Sequence, residues 1–344
     1  MKIAIDIGHP GHVHFFKNFI WEMEKRGHNI KVTSREKEIS NYLLNCYKIK
    51  YNDLGKNKKG LFNKLIAIPL FDFKLLKSVK KINPDIFLSI ASLYAAHAGK
   101  FLGKKVITFT DTEHARIANF LTFPFSDVIC TPSCFLRNLG SKQLRYKGYH
   151  ELAYLHPNWF KPNPKVLKEI DLKKGDKFSV VRFISWGAAH DVGQKKSTKE
   201  EKIEIIRELE KYGKVFVTFE GSLPKELEKY KLKLAPEKIH DLLYYSQMYL
   251  GEGGTMSTEA AILGVPSINI NPLAKYCGNH LDLTKNYKLQ MFFDFIPKAQ
   301  EKAVELLEDK KTKKIWKKRR YKLLNDKIDV TKWMVNFVED YTGV

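Results

Sequence analysis

Short apolar runs alternate along this chain with longer stretches in which apolar positions recur every three or four residues, the pattern of a parallel sheet covered by helices. In the first half, strands are predicted at 2–7, 29–34, 85–90 and 105–110, with a weaker one at 127–131. One helix runs from His14 to Arg26 and closes at Gly27, a second runs from Ala91 to Leu102 and closes at Gly103, and a third covers 115–121. Glycine takes the left-handed conformation that ends a helix. Residues 147–164 carry three prolines and neither period, and read as a linker. Beyond it the alternation restarts: strand 177–184, helix 199–212, strand 214–219, a short strand at 232–235, helix 236–246, strand 248–251, helix 255–263 and strand 266–270. A basic helix at 310–322 and a final helix at 331–342 complete the pattern. The fold class is α/β, with two successive doubly wound, Rossmann-like halves, 1–160 and 161–310, followed by C-terminal helices over 311–344.

Composition narrows the class. A length of 344 residues suits two domains, and 44% apolar residues exclude a disordered chain. The longest apolar stretch, 65–70, is far too short to span a bilayer, and the first strand starts too early for a secretory leader, so a cytoplasmic protein is expected. Cys46, Cys130, Cys134 and Cys277 form no disulfide framework, and the Cys130/Cys134 pair lacks the second pair a zinc site needs. Sixty Lys and Arg against 38 Asp and Glu give a net charge of +22, a field that attracts nucleic acid, anionic lipid or an acidic small ligand. Only nine of those cations are Arg, the better residue for bidentate phosphate recognition, so charge alone selects no partner.

Candidate chemistry gathers at the carboxyl ends of predicted strands, where open α/β sheets place their ligands. The turn Gly8-His9-Pro10-Gly11-His12-Val13-His14 leads into a helix, and its glycines and free N–H groups suit an anion. It is not a Gly-x-Gly-x-x-Gly turn, so nothing points to NAD. Its histidines lack the further ligand and fixed geometry of a zinc site, so no metal is predicted. The segment Gly251-Glu252-Gly253-Gly254-Thr255-Met256-Ser257-Thr258-Glu259-Ala260 also enters a helix. Its Gly254 and Thr255 N–H groups can meet a diphosphate, and Glu259, one turn on, can accept from ribose hydroxyls; the alternative is a plain helix start with Ser/Thr caps. The loop Ser185-Trp186-Gly187-Ala188-Ala189-His190-Asp191 opens the second half as Gly8 to His14 open the first, so the two are expected to face one cleft. Arg182, in the strand before that loop, needs a phosphate or a carboxylate as partner. Asp111, Glu113 and His114 can supply a general base for a hydroxyl, or can cap the following helix.

Four segments occur in an order that resembles GT-B fold glycosyltransferases: GHPGHVHF (8–15), the stretch 85–127, SWGA (185–188) and GEGGTMSTEAAILGVP (251–266). The chain is most similar to the N-acetylglucosaminyltransferases that complete the lipid-linked peptidoglycan precursor, and also to an uncharacterised GT-B-like family of archaea and bacteria. The resemblance implies two domains facing across a cleft, with the last helix crossing back to the first. It implies a nucleotide-diphosphate sugar donor, a UDP-sugar first, with Ser185, Gly187, Gly253 and Gly254 around the diphosphate and Glu259 on the ribose; Arg182 and Thr255 join this set from the residues themselves. Gly8, Gly11 and His12 with Glu113 and His114 would line the acceptor side, where His9 and Asp111 also fall. An inverting transfer follows, with His12 as first base and Glu113 as second. No Asp-x-Asp stands beside the donor loop, so no Mg²⁺ and no cofactor are expected. Gly8-His9-Pro10 departs from the more glycine-rich family turn, and Glu252 stands where a small polar residue is usual, repelling a diphosphate unless it points away.

Rival readings remain. Sugar-nucleotide 2-epimerases share the fold and a similar glycine segment, but their His-Arg-Arg-Glu-Asn stretch is replaced here by Arg182-Phe183-Ile184-Ser185-Trp186. A basic binder of nucleic acid or anionic surfaces could use 310–322 and 56–81, although no helix-turn-helix, zinc finger or aromatic RNA-binding signature accompanies the charge. Segment 61–80 mixes Leu, Ile and Phe with Lys: it can form an amphipathic cover on the first sheet, or it can rest on a bilayer, which would hold the protein at the inner face of the membrane near a lipid-linked or glycan acceptor.

Overall fold

The computed structural model describes residues 1–37, 39–56, 60–184, 197–219 and 223–343, apart from the side chains of Leu61, Lys64 and Leu65. The chain divides into two compact units, Met1–Trp159 with Lys327–Val344, and Phe160–Asp326.

The first unit is built on a wholly parallel sheet of β1 (Lys2–Ile7), β2 (Asn29–Glu36), β3 (Tyr51–Lys56), β4 (Ile86–Ile90), β5 (Lys105–Phe109), β6 (Val128–Pro132) and β7 (Gln143–Tyr146), in the order β3-β2-β1-β4-β5-β6-β7. The strand order reverses between β1 and β4, which makes their carboxyl ends the switch point of the sheet. The helix Pro10–Lys25 buries Phe15, Phe16 and Phe19, and the first two rings pack on Phe109 of β5. The last helix, Val330–Thr342, lies against it, and its Glu339 binds Arg26 and His28. Asp329 caps that last helix and also accepts from Trp159 Nε1 at 2.7 Å.

The second unit carries β8 (Phe178–Phe183), β9 (Lys214–Phe219), β10 (Met248–Gly251), β11 (Ser267–Ile270) and β12 (Gln290–Phe293), all parallel, in the order β12-β11-β10-β8-β9. Its switch point lies between β8 and β10, where Arg182 and Gly251 are partners in the ladder. Gly213 is required before β9: its φ is +152°, and a Cβ there would fall 2.4 Å from the Lys177 carbonyl oxygen.

Several expectations are corrected. The first helix begins at Pro10, four residues early, because His9 caps it by accepting from the Gly11 N–H and proline fits the first turn. His12 and His14 therefore stand on a helix. The expected linker is half core: Tyr149, Leu152, Ala153, Tyr154 and Leu155 are buried, and a short helix spans Leu152–Leu155. The strand expected at 232–235 does not form; beside it, a lone bridge joins Val217 to Lys231. Strands β3, β7 and β12 escape the sequence pattern because YNDLGK and QLRY are largely polar and QMFF is only four residues long, whereas β9, also a sheet edge, keeps the apolar run KVFVTF and fits it. The basic helix runs Thr312–Asp326 within the second unit, and three of its residues hold it there. Buried Trp316 donates to the Leu289 carbonyl, Arg319 to that of Lys288 and Arg320 Nε to that of Ile262.

Asp6 of β1 and Arg35 of β2 form a buried ion pair at 2.7 Å. Asp6 also accepts from Thr33 and Ser92, and the Arg35 guanidinium lies 4.4 Å from the centre of the Tyr94 ring. Truncating one partner leaves the other charge buried and uncompensated. Asp6→Ala is expected to lower the unfolding free energy by about 3–5 kcal/mol, read from urea denaturation, whereas Asp6→Leu combined with Arg35→Met recovers most of that loss.

Candidate functional site

In the first unit, the residues at the β1/β4 switch point form a positively biased turn. Gly8 has no room for a side chain, since a Cβ there would lie 2.6 Å from an Arg35 nitrogen. His12 follows one turn into the helix, its Nδ1 3.4 Å from the Gly8 N–H and its ring 5.8 Å from that of His9. Burial first, then the positive charges of His9, Arg35, His150 and Lys37, hold the His12 imidazole well below the usual histidine range. The ring is neutral near pH 7. The 3.4 Å contact is too long to impose a tautomer, so a ring nitrogen is available to accept a proton. His14 turns inward between Tyr47 and Tyr154, so the three histidines do not converge on one point. Across β4, Ala91 holds a φ of +41° ahead of Ser92, an unfavourable backbone for a residue with a Cβ, at the same switch point.

Asp111, after β5, faces His150 with 3.4 Å between Oδ2 and Nδ1. Burial lowers the His150 pKa while Asp111 raises it, and Nε2 is buried with no hydrogen-bond partner among the described residues. Tyr146 stacks parallel to that ring, and burial pushes its hydroxyl well above the ordinary tyrosine range. Glu113 is buried, with Oε1 accepting from the Leu136 N–H, and His114 is exposed. Neither carboxylate caps the helix Arg116–Thr122, which has no side-chain cap. The structure thus gathers Gly8, His9, Gly11 and His12 in one turn with Arg35 and sets Asp111 on His150. His150 lay in the expected linker, and Arg35 lay just past the expected end of its strand, so periodicity marked neither.

In the second unit, the helix Gly254–Leu263 starts at the β8/β10 switch point with Gly253 as its N-cap and no side chain closing it. Its first N–H groups carry the positive end of the helix dipole. Arg182 Nε lies 3.3 Å from where a Gly253 Cβ would stand, and His280 Nε2 lies 3.0 Å from the same point on Gly254. Thr255 is exposed on the first turn. His280 is held through Nδ1 by Gln290, whose amide continues to Ser257 and on to Ser267. Asn269, on the strand beside the helix, has neither side-chain amide atom bonded among the described residues, though it is fully buried.

Both acidic residues of the glycine segment turn inward. Glu252 accepts from the Ile184 N–H at 2.9 Å and lies 3.3 Å from the Lys202 ammonium, so its charge is compensated inside the unit. Glu259 is 4% exposed, with Oε1 2.9 Å from His240 Nε2. Ser185 and Gly187 lie outside the described residues. The Cys130 thiol is buried and burial raises its pKa, as for a core residue. No group of His, Cys, Asp or Glu among the described residues could hold a metal ion.

With this geometry in place, comparison with known proteins shows what the chain is similar to. It is 26% identical over 285 residues, 79% of this chain and 82% of the relative, to the uncharacterised protein MJ0665 of Methanocaldococcus jannaschii. Among solved structures, it superposes on the spinosyn forosaminyltransferase SpnP with a TM-score of 0.66 at 12% identity, covering 100% of both chains. It superposes on the UDP-GlcNAc 2-epimerase of Methanocaldococcus jannaschii, in complex with UDP-GlcNAc and UDP, with a TM-score of 0.63 at 15% identity, covering 91% of this chain and 94% of that one. The fold is GT-B, two doubly wound α/β units, in agreement with the fold class read from the sequence. The family model described as protein of unknown function (DUF354) matches residues 1–342, and the chain belongs to that family.

Proposed function

We propose that the protein is a glycosyltransferase whose second unit binds a nucleotide-diphosphate sugar and whose first unit presents the acceptor and the base. The carrying observation is the open, glycine-lined start of the helix Gly254–Leu263 at a sheet switch point, flanked by Arg182 and His280. A diphosphate there meets N–H groups from Gly254 and Thr255 and the Arg182 guanidinium, with Ser185 and Gly187 completing the set. The family resemblance also assigns Glu259, in contact with His240, to a ribose hydroxyl. The reading gains support from SpnP, a forosaminyltransferase, and from the epimerase bound to UDP-GlcNAc and UDP.

In an inverting transfer, neutral His12 takes the acceptor hydroxyl proton while that oxygen attacks the anomeric carbon from the face opposite the diphosphate. The bond from that carbon to the diphosphate oxygen breaks, and the leaving oxygen keeps the electron pair, stabilised by the helix N–H groups. Glu113 and His114 are the reserve candidates for the base. A second observation bears on the acceptor: Phe62, Ile66, Leu70 and Phe73 are exposed on neighbouring helical turns, Phe62 at 73% and Phe73 at 64%. They support a lipid-linked acceptor met at the inner face of a membrane, with the protein cytoplasmic and peripheral. No described helix is long and apolar enough to cross a membrane.

Titration calorimetry with UDP, GDP, CMP and TDP should detect one nucleotide, with affinity reduced about tenfold or more in Gly254→Val and in Glu259→Ala. Binding of none of them by the wild type overturns the donor site, and production of a C2 epimer from UDP-GlcNAc without acceptor replaces transfer by epimerisation. His12→Asn is expected to lower kcat by about 100-fold while leaving nucleotide affinity unchanged. Because the folded environment lowers the His12 pKa, the base stays unprotonated as pH falls through about 6.5, the ordinary histidine value. Activity should therefore decline only at lower pH, and a decline already centred at the ordinary value assigns the base elsewhere. Co-sedimentation with anionic vesicles should fall in Phe62→Ser/Phe73→Ser if those rings meet lipid.

A further inference from the structure

The edge of the first sheet carries a second concavity with a different chemistry. Residues of β2, β3 and the helix Ile68–Val79 with the turn after it enclose a groove of about 980 Å³, into which Lys31, Lys74, Lys77 and Lys81 contribute. None of these lysines has a carboxylate within ion-pair distance among the described residues. Four cations left together repel one another, and a fold keeps such a cluster at lower cost when an anion occupies it.

Hydrogen bonding in the groove sharpens this. Two of its acceptors are already used from within: Lys31 Nζ donates to Asn52 Oδ1 at 2.8 Å, and Lys74 Nζ donates to the Leu54 carbonyl at 2.8 Å. Asp53, the one carboxylate on the wall, accepts from the Gly55 N–H with one oxygen and from Asn41 with the other. Gly55 makes that arrangement possible, with a φ of +99° that aims its backbone beneath the Lys74 ammonium. Asn52 Nδ2 donates to Ser78 Oγ, whose hydroxyl can in turn donate. The groove thus presents ammonium N–H groups and a hydroxyl donor, the complement of a multiply charged oxyanion.

We infer that this lysine-lined groove between β3 and the helix Ile68–Val79 binds a phosphate-bearing ligand, either a soluble phosphate ester or the headgroup of an anionic lipid. Its place favours no carboxylate ligand, since ammonium point charges rather than a guanidinium fork line it. The site stands at the sheet edge and uses none of the residues assigned to donor or acceptor. The outer face of the same helix continues from Leu70 and Phe73 to Lys77 at helical spacing, so a bilayer headgroup and a free phosphate reach the groove alike.

The full chain is titrated with inorganic pyrophosphate by calorimetry and sedimented with phosphatidylcholine vesicles with and without phosphatidylglycerol. Lys77→Gln/Lys81→Gln changes side chains that hold no hydrogen bond among the described residues, so the fold persists, and it should weaken binding by about tenfold. The groove's share of pyrophosphate binding must survive Gly254→Val, which separates it from the proposed donor site. Lys313→Gln/Lys317→Gln removes the same charge from the basic helix of the second unit and should leave binding intact. Saturable pyrophosphate binding assigns a soluble ester, and binding to phosphatidylglycerol vesicles alone assigns a headgroup. Equal binding by wild type and Lys77→Gln/Lys81→Gln on both probes, or an equal loss in the second-unit control, overturns the site.

Discussion

A carboxylate and a guanidinium buried side by side at the carboxyl ends of β1 and β2 set the terms for the first unit. Desolvating Asp6 and Arg35 is costly, and the cost is offset only because Thr33, Ser92 and the Tyr94 ring complete the surroundings of the pair. The consequences spread along the chain. A second nitrogen of Arg35 occupies the space where a side chain on residue 8 would stand, so the first turn must be glycine there. Ser92 serves the same carboxylate and caps the helix Leu93–Phe101, tying the two strands of the switch point together. The charge of Arg35 also lowers the His12 pKa, so one structural ion pair shapes the electrostatics of the candidate acceptor side.

The second unit solves an opposite problem. Its helix start needs positive potential, yet Glu252 precedes the helix and Glu259 lies within it. Each is drawn inward by a partner, Lys202 for the first and His240 for the second. With both carboxylates held inside, the exposed helix start keeps its dipole and its free N–H groups. The concern that Glu252 repels a diphosphate is met by a lysine on another helix, which no local pattern could announce.

The large positive charge divides in the same way. Much of the arginine is structural: Arg35 is paired, Arg145 binds the carbonyls of Ser133, Phe135 and Arg137, and Arg319 and Arg320 hold carbonyls beneath the basic helix. Guanidinium, with its several donors in a plane, is suited to collecting carbonyl oxygens at chain ends and turns. The lysines largely remain on the surface, and one set of them converges at the sheet edge.

The strands of both switch points, the glycine-rich segment before residue 254 and the alternation of strand and helix were legible in the sequence, because each depends on neighbours a few residues away. Strands β3, β7 and β12 were not, since they are too polar or too short to display an apolar pattern, whereas the edge strand β9 keeps one. The linker showed no period because its aromatic residues pack as a knot without regular repeat, and His150 was hidden within it. By itself, then, the sequence determined the α/β class and the position of its candidate turns, through local periodicity and backbone preference. Only the tertiary structure decided which polar partner each charged group meets: Asp6 with Arg35, Glu252 with Lys202, Glu259 with His240, Asp111 with His150. Those partners stand between 19 and 50 residues apart in the chain, and the energy of burying a charge is set by what the fold brings against it.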